Sequence, residues 1–72
     1  MGKYLFLFYD LELQIISWYE FDPKEPVSDA MAVQEAFNLM LQIEDCCSCS
    51  IYQDPIHFES SGQFLFVASI RL

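Results

Sequence analysis

The chain has 72 residues, of which 54% are hydrophobic and 17% aromatic, and its eleven acidic and three basic side chains give a net charge of −8. A chain of this length forms one domain, residues 1–72, with no room for a second core. The negative charge argues against direct binding of nucleic acid or anionic lipid, because both depend on Lys and Arg.

The apolar content predicts association with another chain, and the cysteines indicate the cellular compartment. A small domain cannot hide this much apolar surface alone, so we expect a homodimer or a heteromeric complex. Three clustered cysteines, Cys46, Cys47 and Cys49, do not make a disulfide framework, which indicates a reducing compartment. The apolar run at residues 4–9 is too short for a secretion signal or a membrane span. We therefore expect a cytoplasmic protein that does not enter the membrane.

The N-terminal segment Lys3–Phe21 is rich in aromatic and β-branched residues and contains neither Gly nor Pro. As one strand it would be about 60 Å long, far longer than a domain of this size. We predict a turn at Asp10–Glu12 between strands Lys3–Tyr9 and Leu13–Phe21. A bulged strand, or a short helix over Leu11–Trp18, is the alternative.

A proline-containing connection, Asp22–Val27, leads into a predicted helix at Ser28–Asp45. Ser28 is a suitable N-cap, and Asp29 places a negative charge in the first turn. The apolar residues have a helical period and predict one buried face. That face comprises Val33, Ala36, Phe37, Met40, Leu41 and Ile43, opposite a polar stripe of Gln34, Asn38, Gln42 and Asp45.

The C-terminal part predicts further strands. Ser48–Gln53 and Ile56–Glu59 have strand-like composition, separated by a turn or break at Asp54–Pro55, and residues 60–62 form a turn signal. Residues 64–72 alternate as a strand, but both of its faces are largely apolar, which predicts a central position.

The predicted order is therefore ββαββ(β). This order corresponds to an α+β domain in which one long amphipathic helix packs across a four- to five-stranded, mainly antiparallel sheet.

Catalytic and metal-binding signals are weak. Cys46 and Cys49 have C-x-x-C spacing, and with His57 they suggest a zinc-binding module as one alternative. Redox C-x-x-C pairs act from a helix N-terminus, whereas this one follows a helix C-terminus. A single histidine without a nucleophile does not make a catalytic pair. We expect no enzymatic activity, no cofactor and no metal.

The acidic residues concentrate in the first hairpin and the connection after it, close to a tryptophan. Carboxylates beside aromatic residues are typical of a surface that docks on a basic partner, with the aromatic group as anchor. The alternative is that Trp18 or Tyr19 packs under the helix and the acids are simply solvated. The predicted partner-binding residues are Asp10, Glu12, Trp18, Glu20 and Asp22.

The functional hypothesis is a small acidic inhibitor or modulator that binds a basic, nucleic-acid-handling protein. It would act as a nucleic-acid mimic, in the manner of phage inhibitors or immunity proteins. A structural subunit or homodimer without an inhibitory role is the alternative, and it predicts that exposed apolar residues such as Met31 or Leu39 hold two copies together.

Overall fold

The computed structural model describes residues 3–54 and 65–72 and shows one helix packed on a four-stranded sheet. The elements are β1 (Lys3–Tyr9), β2 (Ile15–Phe21), α1 (Asp29–Met40), β3 (Ser48–Asp54) and β4 (Leu65–Arg71). The predicted α+β class and the order ββαββ are confirmed. The fifth strand predicted at Ile56–Glu59 and the turn predicted at residues 60–62 lie outside the described residues.

The four strands are antiparallel and lie in the order β2-β1-β3-β4. β1 is central and pairs with β2 through a short turn and with β3 through the long connection that contains α1. Among the described strands β4 lies at an edge, which differs from the prediction that the last strand is central. Its two apolar faces arise from a register shift opposite Ile51 and Tyr52, where Val67 is the extra residue.

The shift at Val67 divides the apolar residues of β4 between the two faces of the sheet. Phe66 pairs with Tyr52 and points away from the helix, whereas Ala68 and Ile70 pack against the helix-side core. An alternating pattern that is read through Val67 therefore combines residues from the two faces of the sheet.

The core lies between α1 and one face of the sheet. β1 alternates strictly between buried and half-buried residues, and its three buried side chains, Tyr4, Phe6 and Phe8, point toward the helix. The remaining buried members are Ala32, Ala36, Met40, Cys46, Cys49 and Ile51. α1 lies mainly over β3 and also contacts β4 and β1.

The start of α1 is as the sequence predicts. The hydroxyl of Ser28 accepts a hydrogen bond from the backbone N–H of Met31 at 3.2 Å, so Ser28 is the N-cap. Asp29 lies in the first turn and accepts a 2.9 Å hydrogen bond from the hydroxyl of Tyr4. This bond ties the first turn of α1 to the central strand.

The predicted end of the helix at Asp45 was wrong, since α1 ends at Met40 and the chain continues through tighter turns. Its last turn has no basic residue, and Glu44 and Asp45 carry the charge that a helix C-terminus disfavours. Asp45 has a φ of 68°, a conformation that Asp tolerates better than most residues and that directs the chain into β3.

The buried face of α1 also differs from the prediction. Ala32, Ala36 and Met40 form the buried stripe, while Phe37 and Leu41 are exposed. The small alanines let the helix approach the sheet closely, so the helix is rotated away from the face that its largest side chains indicated. Val33, Leu39 and Ile43 flank the stripe and are partly buried, as predicted for Val33 and Ile43.

Adjacent substitutions test the rotation of the helix. Met40 is 1% exposed and Leu41 is 62% exposed. We expect Met40→Ala to lower the free energy of unfolding by about 2–5 kcal/mol, since it leaves a core cavity. Leu41→Ala is the matched control and should change that free energy by about 0.5 kcal/mol or less. Urea denaturation of both variants measures the difference, and equal losses would contradict the observed helix phase.

Candidate protein-binding surface

The face of the sheet opposite α1 is the main candidate surface, and we call it the open face. In the described part of the chain, no other element packs on it. Its side chains form rows that cross the four strands in the order β2, β1, β3, β4. The first row is Glu20, Leu5, Tyr52 and Phe66, and the second is Trp18, Leu7, Ser50 and Ser69.

The apolar side chains of the open face include two that are exposed, Trp18 and Phe66, and three that are half-buried, Leu5, Leu7 and Tyr52. The indole of Trp18 is 68% exposed, although it lies on a regular strand directly opposite Leu7. Phe66 is also exposed, and its ring meets that of Tyr52 edge to face with centroids 5.7 Å apart. The open face is polar at the end of the sheet where β3 begins and β4 ends. The polar residues there are Ser48, Ser50, Ser69 and Arg71. The apolar part is therefore the first row together with Trp18 and Leu7.

The five sequence-predicted partner-binding residues divide into three groups in the structure. Trp18 and Glu20 lie two positions apart on β2, so both side chains are on the open face. Glu12 is exposed at the turn before β2, and Asp22 is exposed directly after β2. The length of β2 separates those two carboxylates by about 23 Å or more. The acids therefore flank Trp18 at both ends of the strand.

Asp10 differs from the other four residues because its carboxylate is engaged by the backbone. One oxygen accepts hydrogen bonds from the N–H groups of Glu12 and Gln14, both at 2.9 Å. Its backbone also closes the turn with Leu13 and Gln14. Asp10 therefore holds the β1–β2 turn, as aspartate commonly does, and its contact with a partner stays a prediction.

The turn carries a second special residue. Leu13 has a φ of 63°, a position that favours glycine, and its side chain is exposed. The neighbouring Leu11 is also exposed, so the tip of the hairpin presents two leucines to solvent.

Sequence reasoning missed four residues of the open face: Leu5, Leu7, Tyr52 and Phe66. Leu5 and Leu7 alternate with the buried aromatic residues of β1, and an apolar residue at every position after Lys3 was the available signal. The positions of Tyr52 and Phe66 depend on the shift at Val67, which the sequence does not reveal.

The cysteines occupy packing positions. Cys49 lies on the helix side of β3 and is fully buried, and the thiol of Cys46 is 3.4 Å from the carbonyl oxygen of Ser48. Burial raises the pKa of both thiols, that of Cys49 to about 12. The zinc alternative stays a prediction. His57 lies outside the described residues.

A cleft of about 390 Å³ lies at the end of the sheet that carries the β1–β2 turn. Its lining includes Leu11, Leu13, Cys47 and Arg71 together with Asp10. Asp10 already accepts two backbone hydrogen bonds, so the described lining does not form an acid–base pair of the kind that catalysis requires. The expectation of no enzymatic activity stays a prediction.

Substitutions in the β1–β2 turn separate the two roles of its acids. We expect Asp10→Ala to lower the free energy of unfolding by about 1–2 kcal/mol, because two backbone donors lose a charged acceptor. Glu12→Ala is the control and should change it by about 0.5 kcal/mol or less. Thermal unfolding of both variants is the measurement, and an equally stable Asp10→Ala protein would show that the turn does not need this carboxylate.

Burial of Cys49 predicts a loss of stability in alkali. An unfolded thiol ionises near its ordinary pKa of 9.0, whereas Cys49 in the folded protein stays protonated up to about pH 12. Its contribution is fully present below pH 9 and is lost between pH 9 and 12, by at most about 1.4 kcal/mol per pH unit. Denaturant unfolding at several pH values above 9 should give a shallower decline for Cys49→Ala. Parallel slopes for the wild type and Cys49→Ala would contradict the assignment.

Within residues 3–54 and 65–72, α1 is too short and too polar to cross a membrane. Comparisons with protein-family models, with curated proteins and with solved structures found no match to this chain. A functional assignment therefore rests on the open face and the charges around it.

Proposed function

We propose that this chain is a non-enzymatic protein-binding module that docks through its open face on a partner with a basic surface. The observation that carries the proposal is Trp18, a large aromatic residue that is 68% exposed on β2, next to the apolar residues of the open face. Glu20 lies beside it on the same strand face. The pair combines an aromatic anchor with a charge that selects a cationic neighbour.

The apolar part of the open face provides the affinity in this proposal. Trp18 and the adjacent Leu7 would be removed from water together with Leu5, Tyr52 and Phe66 on docking. Aromatic residues near the centre of an interface commonly contribute most of its binding energy. A sheet face is also preorganised, so little conformational entropy is lost when it binds.

The acidic residues provide selectivity. Glu12, Glu20 and Asp22 follow β2 from end to end, and the whole chain carries a net charge of −8. Such a field accelerates association with a basic surface, and salt screens it. A surface that normally holds nucleic acid is basic, so a nucleic-acid-handling protein is the partner class we propose. Occupying that surface would inhibit or modulate the partner, as phage inhibitors and immunity proteins do.

A second candidate is a homodimer formed through the outer side of α1. Met31 is 57% exposed on the helix, and Phe37 and Leu41 are also exposed there. A second copy on this side would bury apolar surface without using the open face. Such a contact would depend little on salt, in contrast to docking on a basic partner.

Capture of partners from a lysate of the native host tests the proposal. We expect immobilised wild-type protein to retain a basic protein at low salt and to release it at high salt. Trp18→Ser should lower the affinity for the purified partner at least tenfold, as expected for loss of a central aromatic anchor. A combined Glu12→Lys, Glu20→Lys and Asp22→Lys variant should lower it at least tenfold at low salt. Isothermal calorimetry measures both.

Met31→Ser is the matched control, since it removes an exposed apolar side chain from the opposite side of the domain. It should bind the partner like the wild type. Light scattering on the same variants tests the second candidate. Docking through the open face would be refuted by two results together. Met31→Ser would dissociate a dimer, and substitution of Trp18 and of the acids would leave the affinity for the partner unchanged.

A further inference from the structure

The two edges of the sheet differ in how well they are protected. Among the described strands, β2 and β4 each pair with one neighbour. Unpaired edges expose backbone donors and acceptors, and proteins usually protect them with Pro, Lys, bulges or covering elements. β4 has the irregularity at Val67 and carries Arg71 near its end.

β2 has fewer of these protective features, and its one charged side chain is Glu20. Its sequence, IISWYEF, contains no Pro, Lys or Arg. Its own register shift lies at its beginning, opposite Phe8 and Tyr9, so residues 17–21 pair with β1 without interruption. Five consecutive residues therefore present a regular outer edge.

Both faces of β2 have room for the side chains of another strand. α1 lies over β1, β3 and β4, and it leaves Tyr19 on the helix side of β2 44% exposed. The ring of Tyr19 stacks on Phe6 with centroids 6.2 Å apart, so it is held in place. Trp18 is exposed on the other face. An added strand would find an ordered aromatic neighbour on each face, and such cross-strand pairs stabilise sheets.

The charges on and beside β2 indicate which side chains an added strand would carry. Glu20 lies within the regular part of β2, and Glu12 and Asp22 lie at its two ends. A strand with Lys or Arg opposite Glu20 would form a favourable cross-strand pair. A second copy of this chain would instead bring two chains of net charge −8 together along an acidic segment. The charge therefore favours a basic partner over self-pairing.

We propose that the outer edge of β2 accepts an extended, Lys- or Arg-bearing segment of the partner as a fifth strand of the sheet. The inference rests on the proposed docking function and specifies its geometry. Main-chain hydrogen bonds to β2 would set the position of the segment, and its alternate side chains would contact Trp18 on one face and Tyr19 on the other.

A display library of random twelve-residue peptides, selected against the purified protein, supplies the probe. We expect enriched peptides to carry Lys or Arg at alternate positions, with β-branched or aromatic residues between them. Saturation with a synthetic enriched peptide should slow hydrogen exchange of the outward-facing amides of β2 at least tenfold by NMR, and leave β4 unchanged. Replacement of the basic residues of the peptide by Glu should weaken its binding at least tenfold.

Proline substitutions test the main-chain contacts directly. N–H groups along an edge strand alternate between the neighbouring strand and the outside, so one of Ser17 and Glu20 has its N–H directed outward. The Ser17→Pro or Glu20→Pro variant that keeps the wild-type thermal midpoint should lose peptide binding. Glu20→Ala controls for the side chain. Ser69→Pro and Ile70→Pro on β4 are the matched pair, and the member that folds should bind normally.

Three results would overturn strand addition: enriched peptides that are neutral or acidic, protection at β4 and not at β2, or a dimer whose β2 amides become protected as protein concentration rises. The proposed docking function can hold even where strand addition fails. If the folded proline variant captures the partner normally while Trp18→Ser does not, docking through the open face stands and strand addition fails. If neither Trp18→Ser nor the charge-reversed variant affects capture, the docking function itself fails.

Discussion

The structure depends on β1, a central strand that is apolar on both sides. Tyr4, Phe6 and Phe8 point toward α1, and Leu5 and Leu7 point to the open face. Pairing with both β2 and β3 satisfies its backbone. α1 covers one of these faces, and in the described part of the chain the other face is not covered by a second layer. Apolar side chains on that face favour contact with another apolar surface.

The size of α1 explains why the sheet is covered unevenly. Its twelve residues span about 18 Å, and it lies over β3 with contacts to β4 and β1. β2 therefore has one paired edge and two accessible faces, and it is also the segment next to the acidic residues. Exposed aromatic side chains and carboxylates coincide at β2 because the helix lies over the other three strands. The net charge of −8 also opposes association of like copies.

Local signals in the sequence predicted much of the fold. The limits of β1, the turn after it and the N-cap at Ser28 follow from composition and from short-range hydrogen bonding, which a sequence displays directly. The helix phase and the edge position of β4 depended on Ala32, Ala36 and the shift at Val67, which act through tertiary packing. For the candidate site, composition pointed to Trp18 and Glu20, and the structure places both on the open face. The hydrogen bonds from the β1–β2 turn to Asp10 could not be predicted, because a carboxylate that caps a turn resembles a free one in sequence.

The connectivity of β1 has a consequence for synthesis on the ribosome. Its hairpin with β2 closes through a short local turn, whereas its pairing with β3 must wait until α1 and the following segment have emerged. During that interval the nascent chain holds a two-stranded ribbon whose second β1 edge is unpaired, with Phe6 and Phe8 not yet covered. Such ribbons are marginally stable and prone to intermolecular pairing. The acids of the turn and of the connection after β2 are already synthesised at that stage, and they disfavour contact between neighbouring nascent chains.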